Sequence, residues 1–154
     1  MKNILFTLAL LVSFNSFGQD DVKQGQVVEY YENGNIKSTS YYVDGKEQGI
    51  RIVYYKSGAV KSKFNYVDDL AQGEEIMYFK SGAVRFKSNY VDGKKQGEAI
   101  AYYESGEVKY KANYVDDLAQ GEGFQYYESG EVKYKYNYVD GVQQGEEILY
   151  YENG

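Results

Sequence analysis

Tyr30, Tyr54, Tyr78, Tyr102, Tyr126 and Tyr150 stand 24 residues apart, and Gly25, Gly49, Gly73, Gly97, Gly121 and Gly145 keep the same step without an insertion. A period of this length leaves few architectures open. Each unit must be a small supersecondary module that buries its surface only against the copies beside it. The stretch YYESGEVKYK stands at 102–111 and again, unchanged, at 126–135. A slower rhythm lies on top: YVDDLAQGE at 66–74 and 114–122 is identical, while the units between read YVDGKEQG, YVDGKKQG and YVDGVQQG. Neighbouring units therefore alternate, as duplication of a two-unit block would leave them, and two slightly different rims are expected.

Within 49–73, two runs rich in Ile, Val, Tyr and Phe flank Ser57-Gly58. Asn33-Gly34 holds that place in the first unit and is the strongest short hairpin signal, because a type I′ turn needs positive φ at both central residues. Gly34, Gly58, Gly82, Gly106 and Gly130 are accordingly structural glycines. The other connection, from Asp44, Asp68, Asp92, Asp116 or Asp140 to the closing glycine, reads as a longer polar loop. Hairpin thus follows hairpin in a meander. The expected fold is all-β: an elongated, single-layer antiparallel meander of about five stacked 24-residue β-hairpin repeats, on the order of 50 Å long at 9–10 Å per hairpin.

A two-residue turn at 57–58 would set Tyr55 opposite Val60, Tyr54 opposite Lys61, Val53 opposite Ser62 and Ile52 opposite Lys63. Alternation then places Tyr55, Val60 and Tyr66 on one face and Ile52, Tyr54, Lys61, Lys63 and Val67 on the other. Neither face is purely apolar, which suits a ribbon whose tyrosine rings and lysine stems cover one another.

Composition narrows the chemistry. The chain has no His, Cys or Pro. It therefore lacks the common proton shuttle, the thiolate nucleophile and the soft metal ligands, and nothing interrupts strand pairing. A formal net charge of −6 repels phosphate backbones, so nucleic acid is not an expected partner. Paired acids such as Asp68-Asp69 with Glu74-Glu75, or Asp116-Asp117 with Glu122, lack the alternating spacing of a calcium loop and read as solubilising turns. General acid–base catalysis needs a desolvated site, and a single-layer ribbon supplies none. A non-enzyme without a cofactor is expected.

Met1-Lys2-Asn3 is a short basic start, and Ile4 to Val12 is an almost continuous apolar run. Ser16 and Gly18 supply the small residues of a cleavage site. Residues 1–18 read as a secretory signal peptide, too short for a membrane span, and 19–154 as the repeat domain. The mature chain is expected to be exported, periplasmic or extracellular. Strand 146–151 would be an exposed edge, so either it has a partner or the sequence belongs to a longer one.

The unit Gly-x-x-Ile-x-Tyr-Tyr-x-x-Gly-x-Val-Lys, closing on Tyr-x-x-Gly, resembles the bacterial variant of the MORN repeat, best known from the YwqK antitoxin family. Ile100, Tyr102, Tyr103, Gly106, Val108, Lys109, Tyr114 and Gly121 occupy its places in one unit. Asp69 and Asp117 depart from it where a turn glycine is usual. The resemblance implies an elongated sheet of stacked hairpins that serves, without catalysis, as a protein-contact or membrane-proximal scaffold. It also implies, more narrowly, an antitoxin or immunity protein that neutralises a toxin. The candidate binding face is the ladder Tyr54, Tyr78, Tyr102 and Tyr126 with Lys61, Arg85, Lys109 and Lys133 beside it. Such a face would hold a partner protein or stack on envelope glycans or a membrane surface; its plainer role is to cement the repeats.

Overall fold

A computed structural model describes residues 22–145 and 147–152. The signal peptide expected at 1–18 lies outside the described residues, as does the terminal Asn153-Gly154. The described chain contains strands and turns but no helix. In chain order the strands are β1 (Gly25–Tyr30), β2 (Ile36–Val43), β3 (Lys46–Tyr54), β4 (Val60–Val67), β5 (Leu70–Ala71), β6 (Gly73–Tyr78) and β7 (Val84–Val91). They continue as β8 (Lys94–Tyr102), β9 (Val108–Val115), β10 (Leu118–Tyr126), β11 (Val132–Val139), β12 (Val142–Gln143) and β13 (Ile148–Leu149). All 13 belong to one open antiparallel sheet in which strands pair in sequence order, except that β4 pairs with both β5 and β6 and β11 with both β12 and β13. The pairs β5/β6 and β12/β13 are halves of one strand position, divided at the closing glycine. In β3, β8 and β10 the strand runs through that glycine, and a register shift on one side marks it.

The two turns differ from the sequence-based expectation, and they differ by exchanging roles. At the Ser-Gly end, Gly58 N–H donates to the Tyr55 carbonyl (2.9 Å) and Tyr55 N–H to the Ala59 carbonyl (2.8 Å). Only Gly58 takes positive φ there, at 91°, and Gly34 stands likewise alone at 83°. This is a three-residue loop with a glycine bulge, not the two-residue type I′ turn expected at Asn33-Gly34. The type I′ pattern sits at the other end. Asp44 and Gly45 both have positive φ, 49° and 80°, and Val43 pairs with Lys46 across them. The supposed long polar loop is thus the tightest turn in the molecule. Asp68 and Asp69 adopt the same conformation at 50° and 70° without any glycine, which costs an L-residue roughly 1 kcal/mol or more.

The extra residue at the glycine-bulge end shifts the expected register. Val53 opposes Ser62 and Ile52 opposes Lys63 as expected, but Tyr54 opposes Val60, and Lys61 falls in the shift.

Successive units are stitched at both rims. At the type I′ rim the second turn residue donates its N–H to a carbonyl one unit earlier: Gly45 to Lys23, Asp69 to Glu47, Gly93 to Ala71, Asp117 to Lys95 and Gly141 to Ala119, at 2.9–3.1 Å. Gln48, Gln72, Gln96 and Gln120 add side-chain bonds to Asp68, Asp92, Asp116 and Asp140 at 2.6–2.9 Å. Alternation of the units has a physical basis here. Leu70 packs on Gly93 and Leu118 on Gly141, where an added Cβ would stand 3.3 and 3.2 Å from the leucine. Asp69 and Asp117, in the leucine-bearing turns, accept backbone N–H bonds from Glu47 (2.7 Å) and Lys95 (2.8 Å). These charge-assisted bonds offset the strained φ.

Candidate functional site

Cross-strand pairing resolves the sheet into rows of facing side chains. One row runs Val28, Thr39, Ile52, Lys63, Ile76, Lys87, Ile100, Lys111, Phe124, Lys135 and Ile148. Beyond its first members it is a strict alternation of an apolar residue with lysine, each stem lying along a neighbour. The first tyrosines share its strand parity. Lys63 Nζ lies 5.9 Å from the Tyr78 ring centroid, and Lys111 Nζ lies 5.5 Å from Phe124 and 5.8 Å from Tyr126.

The row one residue along, on the opposite face, is Glu29, Ser38, Val53, Ser62, Met77, Phe86, Ala101, Tyr110, Gln125, Tyr134 and Leu149. No two units carry the same pair. This face also holds what interior there is. Among the described residues Ala99, Ala112 and Ala119 are the buried apolar ones, joined by buried Ser38, Ser40, Glu47, Ser62, Glu75 and Ser88. Small residues are buried because large ones lie over them: the Tyr138 ring is so close to Gly123 that a Cβ there would stand 2.8 Å from Cε2.

The N-terminal part of this face is ionic. Glu75 is buried and accepts from Ser88 Oγ (2.9 Å). Burial pushes the Tyr90 phenol up to about 12, and the adjacent Glu75 carboxylate adds to the shift. Glu47 is paired with Arg51 at 3.6 Å, yet its Oε1 and Arg51 Nε are buried without partners. Burial, the dominant influence, raises the Glu47 carboxyl above its ordinary value; Arg51 opposes the rise and Asp69 adds to it. The C-terminal part is aromatic. Tyr134 stacks on Tyr136 at 5.9 Å, and Tyr136 tilts against Tyr138 at 6.1 Å. Burial and a bond with Tyr138 push Tyr110 well above the usual phenol range.

The expected binding set is divided by this geometry. Tyr54, Tyr78, Tyr102 and Tyr126 form the column at the glycine-bulge end of the uniform face. The charged heads of three of the basic residues reach the variable face instead. Arg85 Nη2 lies 3.6 Å from Met77 Sδ, Lys109 Nζ lies 5.3 Å from the Tyr103 ring, and Lys133 Nζ stands over Tyr127 and Tyr134. Lys61 is exposed in the register shift.

The second tyrosine of each pair was not singled out by sequence reasoning, and it carries the inter-unit bond. Tyr31, Tyr55, Tyr103 and Tyr127 donate their hydroxyls to the carbonyls of Tyr54, Tyr78, Tyr126 and Tyr150 at 2.6–3.2 Å. Phe79 holds this place in the third unit and has no hydroxyl to give to Tyr102. Beside that gap lies an open groove of about 780 Å³, lined by Met77, Phe79, Arg85, Phe86, Ala101, Tyr102, Lys109, Tyr110 and Gln125. The signal that locates this region was present in the sequence: aligned at 24 residues, the columns through Arg51, Val53, Ser62 and Phe64 differ in nearly every unit, and all four map to one face.

The Asp-rich turns place their carboxylates on the Gln and backbone donors of neighbouring units, and no cluster with metal-holding geometry occurs among the described residues. No curated protein matches the chain. The family described as MORN repeat variant matches it at residues 23–44, 47–68, 71–92, 95–116 and 119–140. Each match ends on the first aspartate of a type I′ turn.

Proposed function

This chain belongs to the MORN repeat variant family, and on that premise we propose that it is an exported, non-enzymatic scaffold that works by contacting another protein. The observation that carries the reading is the concentration of internal variation on one face, in the columns through Arg51, Val53, Ser62 and Phe64. Residues that every unit shares are those stacking requires, on the uniform face and along both rims. Residues that differ from unit to unit are not fixed by the repeat, and those of them that reach the surface would offer a partner a different side chain at every step. An antitoxin acts by such a contact, so toxin neutralisation is the narrower form of the proposal.

Photo-crosslinking tests it. Benzoylphenylalanine is placed at Phe64 or Tyr134 on the variable face, and at Asn65 or Asn113 on the uniform face, and cells are irradiated and fractionated. The expected result is one stoichiometric protein adduct, in the exported fraction, from Phe64 and Tyr134 alone. Equal yields from both faces, or no adduct, would overturn the reading.

A further inference from the structure

We propose that the groove along Met77, Phe86, Ala101 and Tyr110 is the docking site for an extended peptide segment of that partner, one presenting a carboxylate beside an apolar side chain. The proposal rests on the contact-scaffold reading and specifies where contact is made and by what chemistry.

Charge is the first ground. The chain carries a net charge of −6, yet the groove lining contains Arg85 and Lys109 and no carboxylate. Among the described residues neither forms an ion pair; Arg85 faces the sulfur of Met77, a weak acceptor, and Lys109 faces a ring. A guanidinium fork so placed suits a carboxylate, which accepts two parallel bonds from it. Complementary charge of this kind selects the partner and its register.

The broken rim is the second ground, and it is independent of charge. Phe79 interrupts the hydroxyl series at this one place among the four inter-unit bonds and the gap. Tyr102 is one of the groove's lining residues, and its carbonyl therefore lacks the tyrosine hydroxyl that its equivalents receive. An extended peptide offers a row of N–H groups at the right scale. The floor supplies the third ground: Met77, Phe79 and Phe86 form an apolar, adaptable bed for one or two side chains.

The probe is a fluorescein-labelled hexapeptide alternating aspartate with leucine, measured by fluorescence anisotropy against the full chain. An asparagine–leucine counterpart serves as control. Arg85→Gln with Lys109→Gln should weaken aspartate-peptide binding by about tenfold or more. Lys46→Gln with Lys94→Gln, the same charge change at the opposite rim, should alter it by less than about twofold. Phe79→Tyr restores the rim hydroxyl and should weaken binding while raising the urea midpoint, a result that misfolding would not give. Equal losses from both double variants would reduce the effect to general electrostatics and overturn the proposal. Equal affinity for the asparagine peptide would overturn it as well. So would a dimer dispersed by the Arg85/Lys109 variant, because a second copy would then be the occupant. If the wild-type chain binds neither peptide, the groove assignment falls, while adducts from Phe64 would leave the scaffold reading standing.

Discussion

Two rows of side chains cross the same strands one residue apart and on opposite faces, and they obey different rules. The row through Ile52, Lys63, Ile76, Lys87, Ile100 and Lys111 repeats without error. The row through Val53, Ser62, Met77, Phe86, Ala101 and Tyr110 never repeats. Both are read from the same strands at the same spacing, so secondary structure cannot account for the contrast. Repetition on one side holds copy against copy. On the other side the fit is solved locally, with small residues set under large ones, and each unit has its own solution. Substitutions should accordingly be resisted at the buried positions of the variable face and tolerated at exposed positions of the other face that lie outside the shared row, such as Glu122.

Gly123→Leu should show that contrast most strongly. Its first added carbon would stand 2.8 Å from the Tyr138 ring and 3.5 Å from Ala112, and overpacking of this kind costs about 3 kcal/mol. The adjacent Glu122→Leu, on the uniform face, should stay within about 0.5 kcal/mol. Urea unfolding with an unchanged slope measures both. Equal effects would show that the faces pack alike and would remove the basis for separating them.

The glycine-bulge rim allows a finer comparison. Tyr103→Phe removes a 2.8 Å bond to the Tyr126 carbonyl and should cost about 1 kcal/mol. Tyr54→Phe, in the ladder column, should cost less than about 0.5 kcal/mol. If Tyr54→Phe proves the more damaging, the second tyrosine is not the stitch. The difference between these two tyrosines explains why sequence reasoning chose the other one. Both recur every 24 residues, so periodicity cannot rank them; the distinction depends on which hydroxyl reaches across to the next unit.

Period, hairpin composition and the all-β sheet were legible because each follows from local sequence repeated without insertion. Turn assignment was not. Asn33-Gly34 carries the type I′ signal in the first unit, but the next four units place Ser before that glycine, which fits a right-handed residue followed by a left-handed one. Asp44-Gly45 is as strong a signal, and Asp68-Asp69 obscured it by reaching the same φ values without glycine. One extra turn residue then displaced Lys61 and its equivalents from the tyrosines they were expected to accompany. Alternation is a sound rule within a strand, and it fails at a register shift.

The smallest effect expected concerns the ionic part of the variable face. Glu47 is buried beside Arg51 with one carboxylate oxygen unpartnered. Because burial raises its folded-state pKa above the unfolded value, the native state favours the protonated form. The resulting stability is fully present below the unfolded pKa, near 4.3, and is lost as pH rises through the folded one. Glu47→Gln mimics the protonated acid at every pH. Its melting temperature should exceed that of the wild type by about 2 °C at pH 7, and the two should converge as pH falls toward 4. Arg51 is about one-third exposed, at 35%, so water can screen its charge once the carboxylate is gone. A variant that melts lower than wild type at pH 7 would mean that the Arg51 pairing outweighs burial. The ionic part would then be held together by its charges and not merely tolerate them.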